Sequence, residues 1–201
     1  RAFSVFLFDD QGRVLLQQKD VEGARKSFEQ AIAREPKFVA AAAALAAIDL
    51  SEKKPDAAKG RFEAVLKADP KSAQAMLAMS ELAARAGDKP EQVLKWINDA
   101  VAAEPTNPMP RQVLVDYQLR TRDFKAAATT AQAAVAAIPD NTDLLDRQAR
   151  VQMASGDAQQ AVSTFSRITQ MRPTSASAFV NLGEAQMSAN DLDGAARAAR
   201  R

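Results

Sequence analysis

An all-α fold, a superhelical array (solenoid) of stacked helix–turn–helix pairs, is what this 201-residue sequence predicts, and three observations carry the prediction. Prolines recur at Pro36, Pro70, Pro105, Pro139 and Pro173, separated by 34, 35, 34 and 34 residues. Each closes a run whose apolar residues fall four and then three apart, the spacing of one helix face. Alanine accounts for 44 residues, against 7 glycines and 9 prolines, which suits closely packed helices and leaves little room for a loop-rich β fold. A helical pair of this size cannot bury its apolar face alone, so neighbouring pairs must stack.

The elements follow in order. The opening RAFSVFLFDDQGRVLLQQKD is aromatic and β-branched, with DDQG where a turn would sit. It reads either as a short extended or hairpin-like segment or as a degenerate first helix. Counting back one repeat puts Phe8, Gly12 and Leu15 at large, small and large positions. The helix expected over residues 21–34 needs a partner, so residues 13–18 are expected to be helical, and residues 1–8 stay open between an extended arm and a helix. The second helix of each pair (helix B) carries Ala24/Phe28/Ala31, Ala58/Phe62/Val65, Val93/Ile97/Ala100, Ala127/Ala131/Ala134 and Ala161/Phe165/Ile168. Asp20, Asp88, Asp123, Asp157 and Asp191 precede these faces and are expected to cap helix B; the second unit offers Pro55 and Asp56 instead. Turns within the pairs are expected near residues 19–20, 53–56, 87–90, 121–123, 155–157 and 189–191. Residues 1–18 are thus an atypical segment and residues 19–201 an array, with units at about 5–38, 39–72, 73–107, 108–141, 142–175 and an incomplete 176–201.

Composition narrows the chemistry. No cysteine and no histidine is present, which removes disulfides, thiol nucleophiles, thiolate or imidazole metal sites and histidine acid–base catalysis. No catalytic residue, metal site or cofactor is expected. The balance of 27 basic and 25 acidic side chains contains no basic block interleaved with aromatics, so nucleic acid is not an expected partner. No apolar run approaches the roughly 20 residues of a membrane helix; the alanine-rich run from Val39 stops at Asp49. Starting at Arg1 and stopping at Arg201 inside a helical pattern, the chain is expected to be a piece of a longer protein.

The phased prolines, the small–large face of helix B, and Phe179, Leu182 and Gly183 in the last unit resemble the tetratricopeptide repeat (TPR) over about residues 20–201. Ala42 and Arg111 stand where that family prefers a bulky residue. Residues 1–18 are similar to the early strand–turn–strand of Nudix-fold isopentenyl diphosphate isomerases, but that family's chemistry needs a cysteine and histidine ligands, which this chain lacks. Residues 50–93 resemble the TPR-repeat lipoprotein of bacterial PEP-CTERM/exosortase systems. That resemblance implies a lipid-anchored scaffold in envelope protein sorting or exopolysaccharide export, located in the cell envelope or periplasm. A generic cytosolic TPR adaptor, or the accessory array of an enzyme whose catalytic domain lies elsewhere, are the alternatives.

The TPR resemblance also implies a concave groove lined by the first helix of each pair (helix A), suited to an extended peptide or a helix. Its inward positions are Gln74, Leu77, Glu81, Ala84 and Arg85 in the third unit, and Met109, Gln112, Asp116, Leu119 and Arg120 in the fourth. The fifth contributes Asp143, Asp146, Arg150, Met153 and Ala154; the second is nearly bare, with Ala40, Ala43, Ala47, Leu50 and Ser51. Alanines at Ala43 and Ala47 remove the carboxylate clamp of chaperone-tail binders, and only Asn181 is placed for the asparagine ladder of sugar-transferring TPR enzymes. A row of Arg85, Arg120 and Arg150 could receive acidic peptide or acidic polysaccharide. Each arginine, however, follows an acid by four residues (Glu81, Asp116, Asp146), so pairing within the helix is expected to occupy them.

Overall fold

The computed structural model describes residues 2–190, with side chains from residue 5, as eleven helices and no strand. In chain order they are α1 (Ala2–Gln17), α2 (Val21–Arg34), α3 (Val39–Ser51), α4 (Pro55–Ala68), α5 (Ala73–Ala86) and α6 (Pro90–Ala103). Then come α7 (Pro108–Arg120), α8 (Phe124–Ala137), α9 (Thr142–Ala154), α10 (Ala158–Met171) and α11 (Ala176–Ser188). The chain divides into two compact units, Arg1–Glu104 with α1–α6 and Pro105–Arg201 with α7–α11.

The even-numbered helices α2 to α10 are the B helices, and all five have 14 residues. One capping residue and then the repeat's proline follow each, because proline lacks the N–H that would continue the helix. Starts are set in two ways. Asp20 and Asp123 accept a hydrogen bond from the backbone N–H three residues on, at 2.9 and 3.1 Å. Where the capping position holds Lys54 or Lys89, the next residue is Pro55 or Pro90, whose fixed φ pre-sets the first turn. Asp88 is therefore not a cap as the sequence suggested: the extra residue of the 35-residue spacing leaves it one position early, and α6 begins at Pro90. Asp157 occupies the cap position without a side-chain hydrogen bond. Asp191 lies outside the described residues.

The A helices after the first begin three residues past each proline; Ser72, Asn107, Asn141 and Ser175 at the capping position accept backbone N–H groups, whereas Phe38 before α3 has no side-chain acceptor to do so. Every described turn inside a pair uses one left-handed residue: Lys19, Lys53, Gly87, Arg122, Gly156 or Asn190. In the first five of these turns the next residue's N–H reaches back five positions, as in Asp20 N–H to the Leu15 carbonyl and Asp157 N–H to that of Gln152. This closes the orphan carbonyls at the end of helix A and turns the chain sharply enough for helix B to pack against it.

The opening segment is neither an arm nor a hairpin. Ala2–Gln17 is one helix, and DDQG falls in its middle, with Asp9 accepting from Arg13 at 2.8 Å. Packing overrides the β-like composition: Val5, Phe8 and Leu15 join Ala24 and Phe28 in one cluster, and a Cβ on Gly12 would lie 2.6 Å from the Phe28 ring. Small against large recurs in both units. Ala46 clusters with Phe62 and Ala149 with Phe165; where helix B carries Ala131, helix A answers with Val115. The two positions with unexpected residues are accommodated differently. Ala42 is fully buried among alanines and Phe62, whereas the Arg111 guanidinium caps the Pro105 carbonyl at 3.2 Å.

One buried charge stands out in the first unit. Asp49 on α3 is 1% exposed and accepts from Arg25 of α2 at 2.7 Å and Arg61 of α4 at 2.9 Å. Burial works against its charge, but the hydrogen bonds from Arg61 and Arg25 outweigh it and hold the carboxyl below its ordinary range.

Candidate functional site

Each unit carries a cleft of the same construction, flanked by two successive A helices and floored by a phenylalanine of the B helix between them. In the first, of about 340 Å³, Ala43, Ala46, Ala47 and Leu50 of α3 face Ala78, Glu81, Leu82 and Arg85 of α5 over Phe62 of α4. In the second, of about 380 Å³, Arg150, Met153 and Ala154 of α9 face Asn181 and Glu184 of α11 over Phe165 of α10. Phe62 and Phe165 are 5% and 4% exposed, so each is mainly a core residue whose ring edge closes the cleft floor. The repeat explains the likeness: α3 leads to α9, and α5 to α11, by three periods of the proline spacing.

The chemistry of the two clefts differs. The α3 wall is alanine apart from Leu50, and the charge on the opposite rim is closed on itself, with Arg85 donating to Glu81 at 2.6 Å. In the second cleft Arg150 donates to Asp146 at 2.6 Å, and Asp146 also accepts from Asn181 of α11 at 3.1 Å. The Asp146 hydrogen bond raises the Arg150 pKa; burial opposes it, and the carboxylates of Asp146, Asp116 and Glu184 add to the rise. Among the described residues Glu184 has no ion-pair or hydrogen-bond partner.

The site residues read from the sequence are thus brought together only in part. Glu81 and Arg85 line the first cleft, Arg150 and Met153 the second, with Asp146 anchoring Arg150. Gln74 is exposed, and Leu77 packs beside Met76 and Ala100, away from the first cleft. Met109, Gln112, Leu119 and Arg120 line neither cleft; Leu119 packs against Val115 and Ala131. Two of the three arginines pair within their helix as expected. The exception is Asp116, which accepts from Arg147 on α9 at 3.1 Å, while Arg120 lies over the Tyr117 ring at 5.7 Å. The next A helix offers Asp116 a better-placed guanidinium than its own does. Sequence reading missed Phe62 and Phe165 as cleft floors and Glu184 as a cleft wall. Glu184 could have been found by counting 34 residues on from Arg150.

Among the described residues no helix is long and apolar enough to cross a membrane, and no three acidic, cysteine or histidine side chains converge as metal ligands. Tetratricopeptide repeat models match residues 15–78 and, for a second model, residues 49–108 and 147–201. Solved structures share the fold. PilW, a type IV pilus biogenesis factor, is 19% identical with a TM-score of 0.67, over 96% of this chain and 90% of PilW. PilF of Pseudomonas aeruginosa is 16% identical with a TM-score of 0.65, over 98% of this chain and 89% of PilF. YrrB, described as a TPR protein with an unusual peptide-binding site, is 19% identical with a TM-score of 0.56, over 85% and 88%. No curated protein is significantly similar to the chain in sequence.

Proposed function

This chain belongs to the tetratricopeptide repeat family, whose domains bind proteins or peptides, and on that premise we propose that it is a non-catalytic scaffold holding a peptide segment in the clefts over Phe62 and Phe165. The observation that carries this reading is the repetition of the cleft. Both units build it from the same repeat positions, though the surrounding side chains have diverged. A protein or peptide is the favoured ligand over an acidic polysaccharide, because Arg85 and Arg150 are already neutralised by Glu81 and Asp146. Apolar floors supply area, and the polar rims fix register.

Ala47 and Ala154 are exposed cleft residues outside the core, so Ala47→Trp and Ala154→Trp fill the clefts without disturbing packing. A displayed library of random nonapeptides should yield binders to the wild type, and the double variant should lose them at unchanged helicity. Binding that survives both tryptophans moves the site elsewhere.

The setting we favour is the bacterial envelope, in protein sorting or exopolysaccharide export. It is supported by the wording of residues 50–93, LSEKKPDAAKGRFEAVLKADPKSAQAMLAMSELAARAGDKPEQV, which resembles the lipoprotein of PEP-CTERM/exosortase systems. Deleting the gene in its host should lower surface polysaccharide, and the protein should fractionate with the envelope. Recovery in the cytosol with normal polysaccharide would favour a cytosolic adaptor.

A further inference from the structure

We infer that the cleft of the second unit is a subsite for a basic side chain, lysine or arginine, of the bound peptide. This rests on reading the clefts as peptide-binding, and it reverses the acidic ligand that the arginine row suggests from sequence.

The argument is an internal comparison between two equivalent clefts. Glu81 and Glu184 stand at the same position of their A helices, each opposite a phenylalanine floor. In the first unit the residue four positions on is Arg85, which closes the carboxylate at 2.6 Å. In the second unit that residue is Ser188, which cannot, and among the described residues Glu184 makes no hydrogen bond or salt bridge, only a longer-range attraction to Arg150. Arg150, across the cleft, does not take its place: it is held at 2.6 Å by Asp146, its own helix neighbour. Asp146, Arg150 and Glu184 together carry one net negative charge, and Asp116 is balanced by Arg147.

The rest of the cleft suits the stem of such a side chain. Met153 and the Phe165 ring give an apolar track, and a lysine or arginine lays its methylenes on such a surface while its head stays with a carboxylate. Met153 is half-buried and unbranched, able to adapt to either stem. Asn181 spends its amide N–H on Asp146, so its carbonyl oxygen remains an acceptor beside Glu184. The cleft thus offers two acceptors and a methylene track to a cation, and its one guanidinium is already engaged.

The test uses three pools of labelled nonapeptides, random except for a central lysine, norleucine or glutamate, titrated against the full chain. The wild type should favour the lysine pool over the norleucine pool by about threefold to fivefold at low salt, the scale of an exposed ion pair. That ratio should shrink at high salt. Glu184→Gln should bring the lysine-to-norleucine ratio to about one. Ser188→Arg, which rebuilds the Glu81–Arg85 arrangement, should do the same, and thermal melts of both variants check the fold. A ratio retained in either variant, or a wild type that favours glutamate, overturns the inference while leaving the clefts as peptide sites. If no pool binds, or if Ala47→Trp and Ala154→Trp together leave the norleucine pool unaffected, the peptide-site reading itself fails and this inference with it.

Discussion

At the residue scale, Asp49 is the most deeply buried charged side chain among the described residues. Its two arginines come from the helices on either side, so one carboxylate ties α2, α3 and α4 together. Removing one partner of a buried pair strands the rest, and Asp49→Ala should cost about 3–5 kcal/mol, read from chemical denaturation. The pH dependence follows from the same contact. Because the folded-state pKa lies below the unfolded value of about 4, the contribution is fully present above that value and disappears as pH falls through the depressed one. The wild type should therefore lose stability on acidification below about pH 4, and Asp49→Ala should show a shallower loss over the same window. A second prediction concerns the left-handed turns. Gly156 has φ of 85° and open space where a Cβ would go, so Gly156→Ala should cost about 1 kcal/mol through backbone strain alone. A neutral result would show that the turn relaxes out of the left-handed region.

At the element scale, the instructive helix is α1. Its aromatic, β-branched letters resemble a strand pair, yet no strand is present among the described residues to pair with it, whereas Ala24 and Phe28 of α2, packed on α3 through Ala41, Leu45 and Ile48, also take cover from Val5, Phe8 and Leu15 of α1. Gly12 lets α1 close onto Phe28, which is then fully buried. Deleting residues 1–17 should expose that ring and forfeit the α1 core, costing at least about 3 kcal/mol on the scale of one or two buried side chains. An unchanged melting temperature would show that α1 does not contribute to the core. The B helices needed less context to read. Their length, caps and prolines are local, and their boundaries could be read from the sequence to within a residue or two, Asp88 excepted.

At the scale of the whole molecule, each unit has its own buried cores, with Phe28, Leu45, Phe62 and Ile97 in the first and Val115, Leu145, Phe165 and Ile168 in the second. A fragment of residues 1–104 is therefore expected to fold alone, melting cooperatively with nearly full helicity by circular dichroism. A fragment that lost most of its helicity would mean that the first unit depends on the second. The two clefts belong to this scale as well, because each needs three helices from two successive pairs.

The sequence by itself determined the helical pairs, their period and the residues that bury each B helix, because these depend on spacing along one chain: a 3.6-residue helix turn, a proline every 34 or 35 residues, and caps within four residues of the helix they start. Only the tertiary structure decided what the opening segment becomes and which charges remain available. Residues 2–17 are helical because Phe28 requires cover, a demand made from another helix. Asp116 turns to Arg147, 31 positions on, in preference to the arginine four residues away, and Asp146 binds both Arg150 and Asn181. Among the described residues Glu184 makes no hydrogen bond or salt bridge, its neighbour four positions on being Ser188, and that difference acquires meaning only when stacking places it across a cleft from an arginine already held by Asp146. Helices form from contacts a few residues apart, whereas the free charge of a surface depends on every partner the fold brings within reach.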